Sequence, residues 1–164
     1  MSERVVEVEV EADAWLRAVA DCERVARVAA EAALEGGEAD TDAEVSVLLA
    51  DDDEVAALNT QFRDKSKPTN VLSFPALEMA HPHLGDVILA YGVCAAEACE
   101  QGKPLGHHLS HLVAHGVLHL LGWDHQTDAE AEEMESLERT VLAKLGIPDP
   151  YATQDGTDER RRPE

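Results

Sequence analysis

From Val5 to Val10 the chain alternates valine with glutamate, a period of two that predicts a strand with one wet face. Asp13 is placed as a helix cap before residues 14–34. There Trp15, Leu16, Val19, Cys22, Val25, Ala26 and Ala29 recur at helical spacing, and Gly36-Gly37 end the run. A second strand is predicted over 44–50. Asp51-Asp52-Asp53-Glu54 then opens a short helix through Leu58 to Phe62. Carboxylates at a helix N-terminus complement its dipole, so this run reads as capping rather than as a hard-cation site. Thr69-Asn70-Val71-Leu72-Ser73-Phe74-Pro75 predicts a third strand closed by proline, residues 78–84 an irregular loop, and residues 85–90 a fourth strand. Helices follow over 92–101, ended by Gly102, and over 105–121. A last helix opens on the capping box Thr127-Asp128-Ala129-Glu130. Met134, Leu137, Val141, Leu142 and Leu145 form its apolar stripe, and Gly146 and Pro148 end it. The order describes an α+β chain of four strands and about five helices, one domain over 1–151. The polar tail 152–164, with Arg160-Arg161-Arg162, is predicted to be disordered.

Composition refines this picture. Apolar residues make up 45% of the 164, but much of that is alanine and only 4% is aromatic, so the core is expected to be aliphatic and helix-rich. The net charge of −21 argues against binding nucleic acid through the whole surface, while leaving room for a local basic site. That site is Arg63-Asp64-Lys65-Ser66-Lys67-Pro68, the densest basic stretch before the tail. The acidic run from Asp124 to Glu138, without a lysine or arginine, reads as a solvated face. Cys22, Cys94 and Cys99 form no CxxC pair and sit in apolar helical patterns, which predicts buried free thiols in a reducing compartment. No N-terminal apolar signal core and no bilayer-length apolar run is present, so a soluble, cytoplasmic protein without a membrane partner is expected.

The chemistry concentrates in His115-Gly116-Val117-Leu118-His119-Leu120-Leu121-Gly122-Trp123-Asp124-His125. His115 and His119 are four residues apart and share a helix face. Gly122 supplies a residue able to leave the helix with positive φ, and His125 follows closely enough to fold back. Three imidazoles converging on one point bind zinc and leave a fourth position for water, the mark of a catalytic rather than a structural site. On the helical wheel Leu109, Leu112, Val113, Val117, Leu120 and Leu121 fill one half. His108, His111, His115 and His119 fall within a sector of roughly 80° opposite. His108 and His111 lie outside the triad spacing and read as groups behind the ligands or lining the cleft. The loop pair His81-Pro82-His83 has no adjoining third ligand and reads as surface. The triad spacing is that of the long zincin pattern, but Gly116 stands where the metalloprotease general base, a glutamate, belongs.

Three separated blocks carry a family resemblance: residues 68–75, Leu84-Gly85-Asp86-Val87-Ile88, and residues 115–125. They resemble the bacterial YbeY endoribonucleases, the rRNA maturation factors, and the likeness runs through Glu130-Ala131-Glu132-Glu133-Met134-Glu135 to Asp149-Pro150-Tyr151. Trp123 stands where the family often has tyrosine, and Asn70 where it often has aspartate. The resemblance implies a small mixed sheet flanked by helices, with the metal helix under a cleft. It implies one zinc on His115, His119 and His125, and a functional arginine at Arg63. It further implies cleavage of single-stranded RNA, processing of small-subunit rRNA ends, ribosome quality control, and association with the small ribosomal subunit and its assembly proteins. Arg63 is able to fork onto a phosphate, and Lys65 and Lys67 beside it to hold the RNA backbone. No general base is identifiable; activation of water by the metal, or attack by the RNA's own 2′-hydroxyl, removes the need for one at Gly116. Two other readings stand beside this one: a zincin-type metallohydrolase or peptidase, and a ribosome-assembly factor whose zinc is mainly structural.

Overall fold

The computed structural model describes residues 4–63, 70–80, 82–123 and 127–151, and the side chains of all of these but 61–63 and 78. The predicted tail 152–164 lies outside them. Four strands, β1 (Val5–Val10), β2 (Glu44–Ala50), β3 (Val71–Pro75) and β4 (His83–Ala90), form one sheet in the order β1-β2-β4-β3. β1 and β4 both run parallel to β2, and β3 is antiparallel to β4, so the sheet is mixed. Strand composition follows position. β1 lies at an edge and buries only Val6 and Val8, turning Glu7 and Glu9 outward. The central β2 and β4 are covered on both faces, which demands near-continuous apolar runs such as Val87, Ile88, Leu89 and Ala90.

Six helices appear among the described residues: α1 (Asp13–Ala18), α2 (Cys22–Gly36), α3 (Asp52–Arg63), α4 (Tyr91–Gln101), α5 (Leu105–Leu120) and α6 (Asp128–Lys144). The main core lies between one face of the sheet and α2, α5 and α6. There Val47, Leu49, Val87 and Leu89 meet Ala26, Ala30, Leu109, Val113, Val117, Leu118 and Val141. Alanines on α2 let the helices approach closely, which explains the alanine-rich composition. The opposite face carries a smaller cluster of Ala50, Val55, Leu72, Ile88 and Ala90, covered by α3.

The helix expected over 14–34 is in fact two. Val19 is extended (φ −127°, ψ 116°) and Asp21 is left-handed (φ 56°, ψ 45°). The break sets two different burial directions. Trp15 is fully buried, donates its indole N–H to the Ala50 carbonyl at 2.9 Å, and meets Tyr91 edge-on at 5.3 Å. Cys22, Ala26, Ala29 and Ala33 are instead buried in the main core from α2. No glycine or proline marks the break; aspartate is among the few residue types that tolerate the left-handed region. The fourth strand also starts earlier than expected, at His83, whose Nε2 lies 3.4 Å from Asp86 Oδ1, while His81 lies outside the described residues. Of the cysteines, Cys22 and Cys94 are buried as expected but Cys99 is exposed: it lies on the outer side of α4, where the apolar pattern is weak.

The acidic run at 51–54 serves as caps. Asp51 Oδ1 accepts the Glu54 N–H at 2.7 Å, and Asp52 Oδ1 accepts the Val93 N–H at 3.1 Å, capping α4 from another element. The capping box on α6 is formed in both directions, Glu130 N–H to Thr127 Oγ1 and Thr127 N–H to Glu130 Oε1.

Candidate metal centre

Helix α5 carries the site. His115 and His119 stand one turn apart with ring centroids 5.7 Å from each other. The helix then stops in a way that aims the following chain. Gly122 has φ +102°, its N–H bonds to the His119 carbonyl at 3.0 Å, and the Trp123 N–H bonds to the Leu118 carbonyl at 3.0 Å. This pair of bonds is the Schellman termination, which requires a left-handed residue at Gly122. His125 lies three residues after Gly122, outside the described residues. Among the described residues no group of three metal-ligating side chains is complete; His115 and His119 supply two.

Behind His111 and His115 lies Glu138 of α6, fully buried. Its Oε2 is 2.7 Å from His115 Nδ1 and its Oε1 is 2.8 Å from His111 Nε2. The Tyr151 hydroxyl also donates to Oε1, and its oxygen lies 3.2 Å from His111 Nε2. Burial pushes this carboxyl up, but hydrogen bonds from His111 and His115 more than offset it, holding Glu138 well below the usual carboxylate range. An ionised carboxylate only accepts, so the proton of His115 sits on Nδ1 and that of His111 on Nε2. His111 Nδ1, the accepting nitrogen of this tautomer, is buried and has no hydrogen-bond partner among the described residues. Burial pushes the His111 pKa down, so it donates as a neutral ring.

This arrangement fits a divalent metal. A neutral imidazole with its Nδ1–H on a carboxylate offers the Nε2 lone pair outward, the arrangement usual for a metal-ligating histidine. His111 thereby shares with His115 the carboxylate of Glu138. His108 belongs to a different set: it is buried, with Nε2 2.8 Å from Glu97 Oε1, and Asn70 Nδ2 donates to the same oxygen at 3.1 Å. The bond from His108 is the main cause that lowers the Glu97 pKa.

Glu138 corrects the sequence reading. It was expected on a solvated acidic face, yet it is the most buried charge near the site. A signal was present: Glu138 falls midway between Met134 and Leu142, on the apolar stripe itself. A carboxylate on a buried stripe needs partners, and the histidine face of α5 supplies them.

Gly116 is more than a missing glutamate. A Cβ there would stand 2.7 Å from Val87 Cγ1 and 3.1 Å from Ser73 Oγ, and Ser73 donates to the Gly116 carbonyl at 3.2 Å. The position faces the sheet, so it has no space for a base. Gly116→Ala is expected to lower the urea midpoint with an unchanged slope. Overpacking costs about 1–3 kcal/mol, which outweighs the ~1 kcal/mol gained in helix propensity.

Arg63 is the last residue of α3, on the opposite face of the sheet from α5, and its side chain lies outside the described residues. Lys65 and Lys67 also lie outside them.

Comparison with known proteins agrees with the fold and with the motif order. The family model described as Endoribonuclease YbeY matches residues 8–146. A protein of Rhodopseudomonas palustris strain BisB18 named Endoribonuclease YbeY is 54% identical over 157 residues, covering 91% of this chain and 93% of its own length. One of the same name from Nitrobacter hamburgensis is 51% identical over 158 residues, covering 91% and 83%. The solution structure of TM1509 from Thermotoga maritima superposes with a TM-score of 0.54 at 25% identity, covering 87% of this chain and 91% of that one. With the mixed sheet, helix α5 and its glycine termination in the same order as the family motifs, the chain belongs to the YbeY endoribonuclease family.

Proposed function

We propose that this protein is a zinc-dependent endoribonuclease that cuts single-stranded regions of ribosomal RNA, acting in small-subunit rRNA end processing and in ribosome quality control in the cytoplasm. The observation that carries the reading is the bond from His115 Nδ1 to buried Glu138, which sets the ring proton on Nδ1, with His119 one turn away. The name shared by the relatives, Endoribonuclease YbeY, gives the substrate class. His115, His119 and His125 would hold the zinc. When bound, it supplies Lewis acidity at a phosphoryl oxygen and acidifies water. Arg63 would clamp a phosphate and offset developing charge, with Lys65 and Lys67 along the backbone. Ribosomal assembly proteins would bring this strongly acidic body to its RNA.

A zincin-type peptidase is disfavoured because Gly116 packs against Val87, which excludes a glutamate base at that position. An assembly factor with a closed structural zinc would need a fourth protein ligand. No described helix is long and apolar enough to cross a membrane.

The test is cleavage of matched single- and double-stranded RNAs by zinc-loaded protein, with and without chelator, in rising salt. Single strands bend a phosphate into a cleft whereas a duplex holds its backbone stiff, so chelator-sensitive cutting of the single strand alone is expected. Cutting should weaken as salt rises, with a slope set by the few phosphates that Arg63, Lys65 and Lys67 would contact. Peptide hydrolysis without RNA cleavage, even on ribosomal particles, would replace this reading with the peptidase.

A further inference from the structure

The last described residues close over the back of the metal helix. After α6, Gly146 (φ +78°) turns the chain back on itself, with the Ile147 N–H on the Leu142 carbonyl and the Gly146 N–H on the Ala143 carbonyl. Asp149 is then held by Arg139, whose Nε lies 3.1 Å from each carboxylate oxygen. Asp149 Oδ1 also accepts the Tyr151 N–H at 2.8 Å, and the Arg139 guanidinium lies 5.3 Å from the centre of the Tyr151 ring. These contacts insert the Tyr151 hydroxyl between His111 and Glu138.

We infer that Glu138 and Tyr151 are positioning residues: Glu138 fixes His115 in the tautomer that presents Nε2, and the turn at 149–151 locks Glu138 by its tyrosine hydroxyl. The geometry is asymmetric, and that asymmetry makes the inference specific. Oε1 receives two donors, Tyr151 and His111, while Oε2 receives one, His115. In Glu138→Gln the amide oxygen therefore takes the two-donor side and the amide NH₂ faces His115 Nδ1. That nitrogen must then accept, so its proton moves to Nε2 and the lone pair meant for the metal is lost. Tyr151→Phe removes one donor and the lock on the carboxylate rotamer while leaving the His115 bond possible. Its effect has the same sign and is smaller.

The role of Nε2 rests on the zinc reading; the tautomer does not. The first measurement is therefore made on metal-free full-length protein at about pH 8, above the ordinary imidazole value of ~6.5. Long-range proton–nitrogen spectra, with His115 assigned through His115→Gln, should show His115 protonated on Nδ1 in the wild type and on Nε2 in Glu138→Gln. The second measurement is zinc affinity by competition with a chromophoric chelator. Glu138→Gln should lose about 10–100-fold, the usual effect of losing a ligand's hydrogen-bond partner, and Tyr151→Phe several-fold. Wild-type His115 protonated on Nε2 overturns the inference. So does zinc binding by Tyr151→Phe and Glu138→Gln equal to that of the wild type. If Glu138→Gln does not fold, Tyr151→Phe carries the affinity test, because it removes only a hydroxyl. A wild type that shows the Nδ1 tautomer but takes up no zinc refutes the zinc reading and leaves Glu138 as the group that sets the tautomer.

Discussion

Replacing His119 with alanine is expected to abolish stoichiometric zinc binding and, with it, RNA cleavage. His119 stands one helical turn from His115, with ring centroids 5.7 Å apart. Removing one of the three proposed ligands should cost more affinity than the ~10–100-fold lost when a ligand's outer partner is removed. The imidazole is partly exposed on the helix surface, and alanine is the best helix former, so α5 should persist. Metal analysis after dialysis and cleavage of a single-stranded RNA check the two halves. Full zinc content in His119→Ala would remove this histidine from the ligand set. Unchanged cleavage by a metal-free variant would mean that another nuclease is present in the preparation.

Arg63→Ala is expected to separate the chemistry from the metal: zinc content and Tm unchanged, cleavage reduced about 10²–10³-fold, the cost typical of removing one donor to a developing charge. The prediction is demanding because of the fold. α3 and α5 lie on opposite faces of the sheet, so an arginine at the α3 terminus serves the histidines only by reaching around the outer, β3 side of the sheet. Arg63→Lys should recover little, since an ammonium lacks the planar fork that grips two phosphate oxygens. Steady-state kinetics on single-stranded RNA with matched zinc occupancy provide the check. Normal cleavage by Arg63→Ala would confine the working site to the metal and the α5 side of the sheet.

Periodic patterns determined a good deal without any tertiary information. The alternation from Val5 to Val10, the apolar run at the end of β4, the Thr127–Glu130 box and the glycines at 102, 122 and 146 all mark elements that the structure contains. These signals are local. A period of two, a cap or a positive φ acts within a few residues, so the chain carries it directly. The spacing of His115 and His119 is local in the same sense, because a helix fixes it.

What only the tertiary structure decided involves residues far apart in sequence. The break at Val19–Asp21 carries no local punctuation; it exists because Trp15 must reach the Ala50 carbonyl while α2 lies along the sheet. Gly116 looked like a lost catalytic glutamate, and packing against Val87 gives it a steric reason of its own. Glu138 looked like one more solvated acid. Its charge is tolerable inside the protein only because His111, His115 and Tyr151 arrive from 27, 23 and 13 residues away to donate to it. Burial of an ionised group is decided by its partners, and partners at that separation are set by how helices pack, which no local pattern encodes.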